Sequence, residues 1–383
     1  MSPSPTLTEG QLNRATLARQ MLLERERLDA IEAVERLVAL QAQEPASPYI
    51  ALHTRLDGFR AAELDAAFRE RRAVKGHLMR VTLHALSARD FGHFWPAMAP
   101  SMRAWRERQA KRLGLEVDLD AMVARAQRFA RTPRTGPEIR AHLPQLPEHV
   151  AGPGIQRDAW WAVRIQAPFL MVPDDVPWSF GRRPLFIAAG AWLDGEPFAS
   201  EHDGLDHLVR RYLRAFGPAS LGDMAQFTGI QVARLRPSLE RLLAELRTFR
   251  DERGRQLYDV ADGRLPPADT PAPARFLPMW DSVLLAYQDR TRMLSEPHRR
   301  RVIQKNGDFL PAFLVDGVVA GLWRADRTED GRTSIRWQPF EPLSSAAEEE
   351  LASEAERLAA FVEPLEPAVY RRYATTWMDR AAR

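Results

Sequence analysis

Cysteine is absent from all 383 residues. That excludes disulfides, thiolate metal centres and cysteine nucleophiles. Lysine is almost absent too: Lys75, Lys111 and Lys305 are the only ones, so the 54 basic residues are nearly all arginine. The planar guanidinium fork suits bidentate phosphate contacts. A base-composition bias would give the same excess, so arginine content alone does not specify nucleic acid. No apolar run approaches the roughly 20 residues of a membrane span. Met1-Ser2-Pro3-Ser4-Pro5 has neither the basic nor the apolar region of a secretory signal. A cytoplasmic, nucleoid-associated protein with no membrane contact is expected. The nine histidines show no HExxH or paired metal spacing, and there is no P-loop or GxGxxG. No metal and no organic cofactor are expected.

What is present is ordinary for a globular chain: 45% hydrophobic and 27% charged residues, with a formal net charge of +3. The length suggests roughly two to four units rather than one core. The chain is organised around Leu37-Val38-Ala39-Leu40-Gln41-Ala42-Gln43-Glu44-Pro45. Ile31, Val34 and Val38 recur at helical spacing, and Gln41 falls next on that stripe, where a core residue would sit. Pro45 biases Glu44 out of the helical region, so the helix should stop there. In an extended chain Gln41 and Gln43 point to the same side. On spacing alone, the pair reads first as a polar cap on a helix end.

Residues 1–116 read as helices from Leu12, from Arg27-Leu28-Asp29 to Gln41, from Pro48 to Leu56 and from Ala61 to Arg71. His77 to Leu86 follows as a strand or hairpin arm, and 101–116 as a basic helix of the linker type. A second unit, 117–203, holds helices over Leu119–Phe129, from Thr135-Gly136-Pro137-Glu138 and over Asp158–Leu170. A loop or wing follows at Trp178–Pro184. The third unit, 204–262, is the clearest. A helix at Leu205–Phe216 precedes a helix-turn-helix over Ser220–Gly229 and Val232–Leu246. A hairpin from Arg247 to Val260 turns at Glu252-Arg253-Gly254. A proline- and alanine-rich linker, 262–274, leads to a β-rich region, 275–383. There Asp316-Gly317 marks a hairpin, Ile335–Phe340 a strand and Ser345–Phe361 a packed helix. The fold class is therefore α+β: tandem winged-helix (helix-turn-helix) units with a C-terminal β-rich region. The three units share an element order but no sequence repeat.

Leu40-Gln41-Ala42-Gln43 with Pro48-Tyr49-Ile50-Ala51-Leu52-His53-Thr54-Arg55-Leu56 resembles the signature of the AlkZ/YcaQ family. So do Met79-Arg80-Val81-Thr82-Leu83-His84 and Phe276–Leu285 with Asp289-Arg290. The similarity runs in order along nearly the whole chain. The family comprises bacterial DNA glycosylases built from tandem winged helices, which remove bulky N7-alkylpurines and interstrand crosslinks. Some protect producers of DNA-alkylating antibiotics. Its catalytic motif is Gln, an apolar residue, then Gln or Asp. Gln41-Ala42-Gln43 is similar to the AlkZ-like branch, the one with the second glutamine. The resemblance thus implies a catalytic role for Gln41 and Gln43 and double-stranded DNA carrying alkylated purines as partner.

A neutral amide is a poor base, but an N7-alkylpurine is already cationic and leaves without protonation. Two amide oxygens aimed at one point can place a water and tolerate oxocarbenium-like charge. With no lysine in the motif, a monofunctional enzyme is expected, and nothing suggests an obligate oligomer. Arg55, Arg80 and His84 are candidate phosphate contacts beside the lesion. In the family a β-hairpin following this C-terminal motif probes the minor groove, which makes His298, Arg299 and Arg300 candidates. On spacing alone Asp281 and Asp289 could be catalytic carboxylates, but turn and arginine-pairing roles are the preferred reading. Two other functions remain open: a winged-helix transcriptional regulator without catalysis, and a protein that binds lesions without cleaving.

Overall fold

The computed structural model describes residues 4–112, 118–144, 159–195 and 198–374. Thr8 opens the first helix, Glu9–Arg19, with a capping box that includes Gln11. Preceding it, Thr6–Leu7 runs parallel to Leu246–Asp251, which pairs antiparallel with Gln256–Val260. The start of the chain is thereby built into the sheet of the third expected unit. Asn13 donates to the carbonyls of Arg292 and Gly317. Arg19 makes a buried two-pronged contact with Asp259 at 2.6 and 2.9 Å.

A six-stranded antiparallel sheet runs in the order Leu40–Gln41, Leu83–Ser87, Ala73–His77, Phe169–Val172, Leu185–Ala188 and Arg134–Thr135. It joins segments from both sides of the expected boundary near 116, through the pair Gly76 and Leu170. A four-stranded antiparallel sheet takes Arg275–Phe276, Ala312–Val315, Val318–Arg327 and Thr333–Pro339, with helix Ser345–Val362 packed against it. Asp316 and Gly317 form the tight turn, both at positive φ. One contiguous apolar core links the elements around the six- and four-stranded sheets.

Four local expectations change. The helix expected to reach Gln41 is only Ala30–Arg36. Val38 turns to φ 70°, and the chain straightens to pair Leu40 with Ala85 and Gln41 with His84. Strand pairing overrides an apolar stripe that continues at helical spacing. The strand expected over His77–Leu86 is broken into two arms, Ala73–His77 and Leu83–Ser87, around a turn at Met79–Val81. The helix expected over Asp158–Leu170 is Ala159–Arg164, and Phe169–Val172 is a strand; Asp158 itself lies outside the described residues. The basic helix expected from 101 starts much earlier, as Ala88–Arg112. Helices Glu201–Phe216, Leu221–Thr228 and Val232–Leu242 and the hairpin after them stand in the order read from the sequence.

Candidate active site

Gln41 is buried and Gln43 exposed, on an extended segment laid against Leu83-His84. The Ala42 N–H donates to the Leu83 carbonyl at 2.8 Å. The Gln43 N–H donates to Gln41 Oε1 at 2.9 Å, and the Leu83 N–H to Gln43 Oε1 at 3.2 Å. Both side chains are therefore anchored to backbone N–H groups in the same stretch of the sheet edge. Each carboxamide oxygen already accepts one backbone proton, which fixes its rotamer and leaves its second lone pair. Neither side-chain nitrogen has a protein partner among the described residues. The arrangement is two preset amides on a strand edge, with no Asp or Glu carboxylate among the described residues hydrogen-bonded to either.

The cations expected around this patch are mostly committed elsewhere. Arg55 is fully buried, and its guanidinium grips Asp281 at 2.9 and 2.8 Å, with a further bond to the Ala51 carbonyl. It is a core ion pair and not a DNA contact. Asp281 also caps helix Ser282–Leu285 through the Val283 N–H, and Asp289 pairs with Arg253 and Arg255. Both acids thus hold the turn and arginine-pairing roles read for them. His84 is likewise buried, with Nδ1 against the Thr82 carbonyl at 3.0 Å, and cannot reach DNA. Arg80 is half-buried and points inward. Its guanidinium donates to the Phe227 carbonyl and lies 5.3 Å from that ring's centre.

The cluster at 298–300 is exposed in part, but it is not a hairpin. Glu296–Val302 is a short helix. His298 packs on Phe340 at 4.7 Å, with Nε2 3.4 Å from Glu341. Arg299 and Arg300 are exposed. The hairpin follows directly: Ile303 bridges Phe309, and the tip Lys305-Asn306-Gly307 faces solvent, with Gly307 at φ 89°. Asn306-Gly307 is the sequence feature that could have marked that turn.

A second residue not assigned from the sequence is Lys75. It is buried opposite Ala85, with its ammonium 4.4 Å from the centre of the Phe180 ring. Burial pushes it down to about 7 despite the nearby Glu44. Gln41 and Gly76 oppose His84 in the neighbouring register, so the pleat sends Lys75 to the other face of the sheet.

Burial also holds three histidines neutral. His53, His77 and His84 are each pushed from 6.5 down to about 3, with neighbouring arginines contributing. The unfolded chain protonates these rings as pH falls through 6.5, whereas the folded chain does not until about 3. Their contribution to stability is complete above 6.5 and is lost on acidification. Each loses about 1.4 kcal/mol per pH unit within that window. Urea midpoints taken at pH 7 and pH 5.5 should therefore fall steeply. His53→Phe, which keeps the stack on Phe361, should flatten the slope.

Among the described residues no group of three acidic or imidazole side chains is placed to hold a metal ion. No helix is long and apolar enough to cross a membrane. Among the described residues the fold is a mixed α+β assembly of three sheets, and its candidate site is a pair of strand-edge carboxamides. The chain belongs to the DNA glycosylase AlkZ-like family, whose model matches residues 34–361. Among solved structures it is similar to Streptomyces sahachiroi DNA glycosylase AlkZ, with a TM-score of 0.78 at 18% identity, over 95% of this chain and 98% of that one. A comparison with curated proteins found no match.

Proposed function

We propose that this DNA glycosylase hydrolyses the N-glycosidic bond of bulky N7-alkylpurines, including those in interstrand crosslinks. Its role is base excision repair or self-resistance to a DNA-alkylating antibiotic. The observation that carries the reading is the paired amide geometry of Gln41 and Gln43. Their remaining lone pairs lie on fixed oxygens at a strand edge, where they hold a water and face the positive charge growing on the sugar. A cationic N7-alkylpurine needs no general acid. Undamaged purines, with poor leaving groups, are spared. Lys75 faces away from the motif, which supports a monofunctional reaction without an imine. The units 1–116, 117–203 and 204–262 are taken as winged helices and 275–383 as the β-rich part. Arg299, Arg300 and the tip at Lys305 reach the duplex. The protein acts as a cytoplasmic monomer without a cofactor.

The test is base release from a duplex carrying a bulky N7-guanine adduct. Gln41→Ala and Gln43→Ala together should slow release by roughly a hundredfold or more. Borohydride should trap no protein–DNA adduct. Release that survives in the double variant removes the site assignment. No release by the unaltered protein, with tight binding to undamaged duplex, favours the regulator. The helix Val232–Leu242, with Arg236 exposed, would then be its reading element.

A further inference from the structure

Among the described residues Lys75 is the only buried lysine, and its ammonium makes no hydrogen bond and no ion pair there. What it has is the face of Phe180 at 4.4 Å, a ring that Phe68 meets edge-on. One aromatic face replaces only part of the hydration that burial removes. A residue kept for stability would not carry a charge here. We infer that Lys75 is a positioning residue for the glycosylase reaction, acting through the carboxylate of Glu44 to seat Gln43. The inference rests on the glycosylase reading above and adds a residue on the far face of the sheet.

Register supplies the first reason. Lys75 opposes Ala85, and Ala85 opposes Leu40. The lysine thus stands in the cross-strand row that ends on the edge segment just ahead of Gln41. That row spans about 10 Å, two strand spacings. Glu44 follows Gln43 directly and is half-buried. It is the acid whose charge favours the ammonium. The same carboxylate acts on Tyr370, whose hydroxyl lies 2.9 Å from that of Ser47. Glu44 also begins the turn into helix Ser47–Arg55, since its carbonyl accepts from the Ser47 N–H at 3.1 Å. An attraction between Lys75 and Glu44 therefore fixes the turn that carries Gln43.

The second reason is that this charge changes within the working range of pH, whereas its surroundings are settled. Burial brings the ammonium down to about 7. His77, two residues along the same face, stays neutral down to about 3, with Arg164 contributing. On helix Ala61–Arg69, Asp65 accepts from Tyr49 and Ser179. On helix Ala88–Arg112, Asp90 is tied to His207 and Arg211. Tyr49 and Tyr370 are pushed far above neutrality by burial. Lys75 is charged on the acid side of 7 and neutral on the alkaline side. Its pull on Glu44 is full below that point and is lost as pH rises through it.

The test uses Lys75→Met, Glu44→Gln and the double variant. Lys75→Met removes an unpartnered buried charge at nearly constant volume, so it should raise the urea midpoint at pH 6. At the same pH it should lower kcat for release of a bulky N7-alkylguanine about tenfold. The ratio of the unaltered protein to Lys75→Met should then fall from about ten towards one between pH 6 and pH 8.5. Taking the ratio at each pH cancels titration of the substrate. Glu44→Gln should abolish the dependence, and the double variant should lose no more than either single change. Hydrogen exchange at the Leu83 amide, which donates to Gln43 Oε1, reads the seating of Gln43 without catalysis. Its protection at pH 6 should drop in both single variants. Unchanged kcat and unchanged Leu83 protection in Lys75→Met overturn the inference. So does a kcat that falls together with the urea midpoint, which marks a structural role. Additive losses in the double variant overturn the route through Glu44. If the unaltered protein releases no base, the glycosylase reading fails. Leu83 protection then still decides whether Lys75 seats Gln43.

Discussion

Arg55→Ala is expected to lower the free energy of unfolding by about 3–5 kcal/mol, the usual cost of stranding one member of a buried ion pair. Asp281 would be left in a core from which water is excluded, with only the Val283 N–H to satisfy it. The same carboxylate starts helix Ser282–Leu285, so the loss spreads into the segment behind the motif. Urea unfolding measures it. Arg55→Met with Asp281→Leu removes both charges and should recover most of the loss. A phosphate contact would behave differently: Arg55→Ala would leave stability alone, weaken DNA binding and reduce its salt slope by about one.

The second large effect is expected at Arg80. Arg80→Ala removes a charged hydrogen bond to the Phe227 carbonyl and the contact with its ring. Together these are worth about 2–4 kcal/mol. It also leaves a side chain at φ 53°. Arg80→Gly removes the same contacts but relieves the left-handed backbone, so it should be about 1 kcal/mol more stable than Arg80→Ala. The turn leads straight into Leu83, whose N–H orients Gln43. Both variants should therefore lose kcat rather than raise KM. A change confined to KM, with a shallower salt slope, would show instead that Arg80 touches DNA.

Much of this architecture is legible in the chain. Thr8, Asp29, Thr135 and Ser220 announce their helices because an N-cap is a local hydrogen bond. The third unit reads through because its helices carry clean stripes and its hairpin a glycine turn. The paired glutamines are legible as a pattern and through family resemblance. The failures are non-local. Leu40 and Gln41 leave the helical pattern because Leu83–Ser87 is there to receive them. Arg55, Arg80 and His84 look like surface cations beside a motif, but their neighbours are Asp281, Phe227 and Thr82. Two of these partners lie more than a hundred residues away. Lys75 hides for the same reason, since its pleat parity depends on a register that only the folded sheet defines.

The placement of the first helix has a consequence for synthesis. Thr6 and Leu7 pair with Arg250 and Asp251, Arg19 with Asp259, and Asn13 with the carbonyls of Arg292 and Gly317. This segment leaves the ribosome some 240 to 304 residues before the partners that receive it. At ordinary elongation rates that interval is on the order of 10–60 s. The growing chain must carry an unpaired strand and a half-buried helix through that interval.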